Sequence, residues 1–413
     1  MIFNNNFKTT RVEARIITDI ETKEVPILEL LSSLLIYSSK KYNTRRMLLN
    51  KAKDLYDAII NSNIRIDGNR CSLIVSLSIL NNEYAYDNLF NDAIDFLHEI
   101  IYNPNIVDGQ FDEESFEAVK LILNSNIDTI IEDKSRYARL RLFQILNEND
   151  DSYISPLSDE YKNIINTITR EEVSRFYNRV INNSTLDLIV LSNTKNENAE
   201  NIIKNIFDDT KNKNVFINPN KYYENNKKVI TRFESDKTGQ AKLAIACNLP
   251  NNLSSYEKEI VMPIYNLILG GFPNSLFFKN IREKHSLCYN ISSYFYYYEN
   301  ILYIKSGIAK SNYDKTVQLI KKEMKKIRDG SFSEDLLSEA KETYISLLKS
   351  TMDYPSSLIS NYYDNYLDNI SLFSERIKSI EKVSSEDIIN IANKVNIHTI
   401  YLFGGDSKWL KNT

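Results

Sequence analysis

Arg282 and Tyr289 are the two residues of this sequence whose types and spacing could do chemistry together. They close the stretch N-L-I-L-G-G-F-P-N-S-L-F-F-K-N-I-R-E-K-H-S-L-C-Y, residues 266–289. A guanidinium offers five donors in a fixed fork and stays charged, so it suits a substrate carbonyl or carboxylate. A phenol hydroxyl is a donor for an oxygen that gains negative charge in a reaction. The punctuation of the stretch decides whether the two can meet. An apolar helix is expected to end at Gly270 and Gly271, and Pro273, Asn274 and Ser275 break the chain. A short helix then runs from about 276 to 284, and a strand opens at Leu287. That order puts the cation near a helix end and the phenol at a strand start, side by side at one corner. Taken alone, the same residues also fit a solvated helix end and a packed strand tyrosine.

Other chemistry is thinly represented. His98, His285 and His398 are the only histidines. None stands four positions from another, so they build no H-x-x-E-H or H-x-x-H pattern and no zinc site of this chain's own is expected. Cys71, Cys247 and Cys288 are odd in number and widely spaced, which suits a reducing cytoplasm better than a disulfide framework. The formal net charge of -4 over 413 residues gives no basic footprint, so nucleic acid is not an expected partner. No apolar run reaches the ~18–20 residues that span a bilayer, and no membrane association is expected. The first residues, M-I-F-N-N-N, lack the basic and apolar regions of a secretory signal.

The elements that must position the pair follow from periodicity. Residues 9–20 alternate as a strand, and Pro26 opens an apolar helix over 27–37. A second helix follows Lys41-Tyr42-Asn43-Thr44. Residues 62–80 read as a hairpin around Asp67-Gly68-Asn69. Helices are expected over 84–102, 111–131 and 135–146. Thr169 and Glu172 form a capping box that starts another helix, and a strand runs over 186–192. A polar stretch from about 208 to 228, rich in Asn and Lys, reads as a linker. The order then repeats. A strand (239–247), a helix (255–269), a hairpin around Glu299-Asn300 and helices over 313–327 and 334–349 follow. A helix capped by Ser384 and Asp387 and a strand over 397–403 complete it. D-G-Q-F-D-E-E at 108–114 matches D-G-S-F-S-E-D at 329–335, at the same step from turn into helix. The expected fold class is α+β: two homologous halves, 1–209 and 229–413, each a mostly antiparallel sheet with helices packed on one face.

The stretch around Arg282 resembles the second-half signature of the pitrilysin/insulinase family of zinc peptidases, which includes mitochondrial processing peptidase. Ser275, Leu276, Phe277, Ile281, Arg282, Glu283, Lys284, Leu287 and Tyr289 stand at the signature's spacing. The duplicated halves extend the resemblance over nearly the whole chain. The first half departs from it. In that family H-x-x-E-H lies on an early helix before a K-K-Y-S-like turn. Anchoring on Lys40-Lys41-Tyr42-Asn43 puts Glu29, Ser32 and Ser33 at its His, Glu and His positions. The family's third ligand, a glutamate, would fall near Ser125 or Asn126.

The resemblance therefore implies the non-zinc subunit of a two-subunit bacterial peptidase. In such pairs a homologous chain carries H-x-x-E-H and zinc, while Arg282 and Tyr289 would match the catalytic Arg/Tyr pair of the other chain. This chain would bind no cofactor; its partners would be the zinc-motif subunit, in a heterodimer, and a peptide substrate. Self-pairing of the isolated chain remains open. Arg282 and Tyr289 would also touch substrate. The turn at Gly270 and Gly271 would join them, since a glycine-rich loop contacts substrate in the non-zinc subunit of mitochondrial processing peptidase. A catalytically inactive structural or peptide-binding subunit is the competing expectation.

Overall fold

The structure is a computed structural model and describes residues 1–85, 89–151, 153–193, 199–207, 213, 215–223, 228–236 and 239–404. Parts of the expected linker (208–212, 214 and 224–227) and residues 86–88 of the helix expected over 84–102 lie outside these residues. That helix is described as Leu89–Tyr102.

Among the described residues twelve strands run in chain order. They are β1 (Ile2–Phe3), β2 (Thr9–Thr18), β3 (Ile59–Asp67), β4 (Arg70–Leu80), β5 (Ile106–Val107) and β6 (Gln110–Phe111). Then come β7 (Thr185–Ser192), β8 (Ile230–Glu234), β9 (Ala241–Asn248), β10 (Cys288–Tyr296), β11 (Ile301–Ile308) and β12 (Asn396–Phe403). One five-stranded sheet has the order β1-β7-β2-β4-β3, and the other, read from its opposite edge, has β8-β12-β9-β11-β10. In both, the first pair is parallel and the remaining pairs are antiparallel. The two halves thus share one topology strand for strand, which bears out the mostly antiparallel α+β reading.

Each sheet buries one face under its own helices because its strands alternate. Val12, Ala14 and Ile16 of β2 point into one core with Leu28, Leu31 and Leu35 of the helix Val25–Leu35. Leu243, Ile245 and Cys247 of β9 point into the other with Ile260, Ile264 and Ile268. The helix starts follow the caps. Thr44 accepts from the Met47 N–H (3.2 Å) to start Arg45–Asp54. Thr169 and Glu172 cap each other's backbone, as do Ser384 and Asp387.

Compact units do not follow the chain in two blocks. Residues 130–151 belong with 220–354 and 360–413, and residues 355–359 belong with the first unit. The helix Lys134–Leu146 lays Ala138, Leu142 and Ile145 on the second face of the β9 sheet, against Ala244, Ala246, Tyr303 and Tyr401. Its polar edge is tied down as well: Tyr137 and Tyr401 donate to Glu234 (3.1 and 2.8 Å) and Arg141 pairs with the same carboxylate.

The sequence repeat ends in two different turns. Asp108 (φ 50°) and Gly109 (φ 78°) make the tight turn between β5 and β6. Gly330 (φ 68°) instead closes the helix Tyr313–Arg328. There the Gly330 N–H reaches Ile327 O (3.1 Å) and the Ser331 N–H reaches Lys326 O (2.7 Å), a Schellman pair. Both turns then lead into long helices, Glu113–Glu132 and Glu334–Thr351.

Candidate functional site

Arg282 stands on a helical segment whose inner face is fixed by packing. Ser275 caps it: its hydroxyl accepts from the Phe278 N–H (3.4 Å). Phe277 and Ile281 are fully buried, which leaves Arg282 at the rim, half-buried. The segment Phe278–Glu283 is wound as a π-helix, with the Lys284 N–H bonded five residues back to Lys279 O (3.0 Å). Such single wide turns recur at functional sites. The end closes through Ser286, which is left-handed (φ 50°). The Ser286 N–H bonds Arg282 O (3.0 Å) and the Leu287 N–H bonds Ile281 O (3.3 Å). This is a Schellman-like closure one residue wider than the α-helical form.

Tyr289 comes next, at the start of the edge strand β10. Cys288 pairs with Ile308 and Asn290 with Gly307, so Tyr289 is the extra residue of a β-bulge. Bulges re-aim a side chain, and this one sends the Tyr289 ring outward, 79% exposed. The bulge is pinned from the far side. Asn290 Oδ1 accepts from the Gly307 N–H (3.1 Å), standing in for a ladder carbonyl, and Ser306 donates to Asn290 O (2.9 Å). Arg282 lies over the Phe278 ring at 4.3 Å and over the Tyr289 ring at 5.7 Å. Two aromatic faces therefore hold the guanidinium plane without consuming its donors. No described carboxylate forms an ion pair with Arg282. The expected corner is present: cation and phenol stand together, and both are open to a ligand. Cys288 between them is half-buried, and burial pushes its thiol up.

Gly270 and Gly271 end the preceding helix in a second π-turn, Leu267–Gly271. Neither has a positive φ, so conformational freedom is not why glycine stands there. Gly270 is buried, and a Cβ on it would lie 2.6 Å from the Phe277 ring, 2.8 Å from Ser293 Oγ and 3.2 Å from Ser293 N. Gly270 lets this helix touch strand β10, so it supports the corner from beneath. Gly271 is exposed.

The positions that would hold a metal in the first half are occupied otherwise. Glu29 accepts from the Tyr161 hydroxyl, and that contact with burial pushes the phenol up. Ser32 shares a hydrogen bond with Ser62 (2.7 Å), and Ser33 is half-buried. Ser125 and Asn126 are exposed on the long helix. Two neutral hydroxyls and a carboxylate engaged by a tyrosine do not fit a tetrahedral zinc. Among the described residues no group of three or more His, Cys, Asp or Glu is placed to hold a metal ion. Two of the three histidines are engaged with neighbours: His98 packs against the Tyr102 and Phe207 rings (4.8 and 5.2 Å), and burial pulls its pKa down. His398 is buried against Thr399 Oγ1 (2.8 Å).

Sequence reasoning missed the residues that hold the corner: Phe278, Asn290 and Ser306. The phenylalanine was visible four positions before Arg282. The bulge carried no sequence signal beyond an asparagine in a strand. Also unforeseen is a cleft of about 710 Å³ lined by Lys321, Lys325, Arg328 and His398. Arg328 is already bonded to Ala392 O and Val395 O at the end of a helix there.

Two sheets of one strand order, each under its own helices, with Arg282 and Tyr289 side by side at the edge of the second, describe a duplicated α+β chain. Comparisons with known proteins agree. Residues 167–344 match the peptidase M16 inactive domain. The probable inactive metalloprotease YmfF of Bacillus subtilis (strain 168) is 24% identical over 408 residues, covering 98% of this chain and 95% of that protein. A conserved protein from Enterococcus faecalis V583 has a crystal structure with TM-score 0.89 and 26% identity, covering 98% of this chain and 96% of that one. The crystal structure of a peptidase M16 inactive domain from Pseudomonas fluorescens gives 0.77 at 14% identity, covering 98% and 94%. Residues 167–344 thus resemble the inactive domain of the M16 peptidases, and over nearly its whole length the chain is similar to the proteins just named. No described helix is long and apolar enough to cross a membrane.

Proposed function

We propose that this chain is the non-zinc subunit of a two-chain metallopeptidase, completed by a homologous chain that carries H-x-x-E-H and the zinc. The single observation that supports this most is the state of the corner. Arg282 and Tyr289 are held by a π-turn, a bulge and two ring faces, yet their donors stay open. The Tyr289 hydroxyl then donates to the scissile carbonyl oxygen as negative charge develops on it. Arg282 holds a neighbouring carbonyl or carboxylate of the peptide, and the exposed main chain at Gly271 gives the substrate a rim above Gly270. The cytoplasm is the compartment we assign, since Cys71, Cys247 and Cys288 are all free thiols.

The test mixes this chain with the homologous H-x-x-E-H chain and follows cleavage of an unstructured peptide. Cleavage is expected only with both chains and zinc. Arg282→Ala and Tyr289→Phe should each lower turnover at least ~100-fold while the complex still forms, the size usual for removing one oxyanion donor. Unchanged turnover in both variants would reject the catalytic role and leave a structural or peptide-binding subunit.

A further inference from the structure

Beside the Arg/Tyr corner, the second unit carries a group of cations that no described carboxylate neutralises. On the face of the β9 sheet that carries Tyr303, one rung holds Asn290, Gly307 and Lys242. Two residues along, the rung of the same face holds Ser292, Lys305 and Ala244. Lys242 and Lys305 are therefore neighbours on that face, within two rungs of the bulge that presents Tyr289. The helix Lys134–Leu146 adds Arg139 to the same face farther along, where it donates to the Tyr296 hydroxyl (3.4 Å), opposite Ile301 and four residues along β11 from Lys305. One shallow depression of about 30 Å³ is lined by Ser135, Ala138, Lys242, Asn290, Tyr303 and Lys305 among others, and no carboxylate lines it.

The partners of these cations are all neutral. Lys242 Nζ meets Gln240 Oε1 at 2.8 Å, and Lys305 Nζ lies 4.9 Å over the Tyr294 ring. The same helix shows the alternative on its other side: Arg141 pairs with Glu234, and Lys134 lies 3.7 Å from Asp236. The chain as a whole is at -4, so this positive strip is local and opposes the overall field. Tyr294, 49% exposed, offers an apolar face next to it.

We propose that Lys242, Lys305 and Arg139 form a specificity strip that selects peptides with acidic residues and feeds them to the Arg282/Tyr289 corner. This inference deepens the proposed peptidase role and rests on it for the word substrate, but the binding preference stands by itself. Charge complementarity names the occupant. Three half-buried cations on a partly desolvated sheet face attract carboxylates more strongly than solvated ones do, and they repel basic segments.

The test uses the full chain and a short fluorescein-labelled peptide of alternating glutamate and alanine, against its glutamine counterpart. Fluorescence anisotropy at low salt should show the acidic peptide binding at least ~10-fold tighter, with the gap closing at high salt. The variant Lys242→Gln/Lys305→Gln/Arg139→Gln should lose the gap, and Lys242→Arg/Lys305→Arg should keep it, with circular dichroism confirming the fold of each. Equal binding of the two peptides overturns the inference. So does a preference that survives the triple variant, or one lost instead on Lys321→Gln/Lys325→Gln in the separate cleft. The outcome is separable from the catalytic reading. Turnover that falls in Tyr289→Phe but ignores peptide charge sinks the strip alone. Acid-selective binding with turnover indifferent to Tyr289→Phe keeps the strip and sinks the catalytic role.

Discussion

Strands β2 and β9 hold the same place in the same strand order, yet their outward residues differ in kind. β2 turns out Arg11, Glu13 and Arg15, and Glu13 accepts from both arginines (2.8–3.0 Å) with Ser76 and Ser78 taking further Arg11 donors. β9 turns out Ala244 and Ala246 under a helix. The first sheet's polar face is thus satisfied inside itself, as are the nearby helix positions, where Glu29 meets Tyr161 and Ser32 meets Ser62. On the second sheet the Glu234 carboxylate is satisfied by Tyr137, Tyr401 and Arg141, while the cations toward the β10 edge, Lys242 and Lys305, meet only neutral neighbours. Duplicated topology fixes where a side chain can stand. Whether it is left open for a ligand depends on the neighbours each half supplies.

The comparison breaks most visibly at Glu13. Its side chain and that of Arg15 are only 3% and 2% exposed, so removing the carboxylate strands a buried guanidinium. Glu13→Ala should cost ~3–5 kcal/mol in urea unfolding, whereas Arg282→Ala, at an open site, should leave unfolding nearly unchanged. Equal costs would mean that the corner is as internal as the β2 face.

Gly270→Ala tests the support under the corner. The added methyl meets a buried ring and a strand backbone, neither of which can yield cheaply. A loss of ~1–3 kcal/mol is expected from this overpacking. At Gly271 the nearest atoms include the Asn266 side chain at 2.9 Å, which can move, and its carbonyl at 3.1 Å, so Gly271→Ala should cost less. Thermal unfolding of the two variants gives the order.

The two halves also treat a buried cation differently. Arg15 is paired with Glu13, but Lys258 donates to the neutral Asn220 amide oxygen (2.9 Å) and lies 4.3 Å over the Tyr297 ring. Burial outweighs the pull of Glu299, Glu259 and Asp368 and lowers its pKa to about 8 from 10.5. Between those values the unfolded chain binds the proton that the native chain releases. Lys258 therefore costs stability below pH ~8, and the cost fades as pH rises toward ~10.5. Lys258→Met should melt higher than the parent chain at neutral pH, and the difference should shrink across that window. A difference independent of pH would show that the ammonium is not the cause.

Much of this arrangement was legible in residue order. Alternation marked β2, an apolar run marked β9, capping boxes marked Thr169 and Ser384, and the glycine break placed Arg282 and Tyr289 at one corner. Other features left weaker traces. β1 and β5 are two residues long, too short for a period. The helices Asp159–Thr167, Pro355–Asp368 and Phe373–Ile380 were missed, the second being dominated by Tyr, Asn and Ser rather than an apolar stripe. That Lys134–Leu146 packs on the second sheet follows from tertiary pairing, which one helix's own pattern does not contain. The π-turns and the Tyr289 bulge are single-residue insertions in otherwise regular ladders, and propensity is blind to them.

The smallest expected effect sharpens the comparison at the corner itself. Ser286 holds a left-handed backbone that disfavours any residue with a Cβ, and a glycine there would be relieved of that strain. Ser286→Gly should therefore stabilise the chain by ~0.5–1 kcal/mol, net of the extra freedom glycine gives the unfolded state. The two closing bonds, from the Ser286 and Leu287 amides, use backbone atoms and survive the change. Turnover with the partner chain should then stay within about twofold of the parent, since the free energy involved is small. If turnover instead falls while melting rises, the stiffness of a non-glycine residue at this corner helps to aim Arg282. The second half would then carry a positioning demand that the internally satisfied site of the first half does not share.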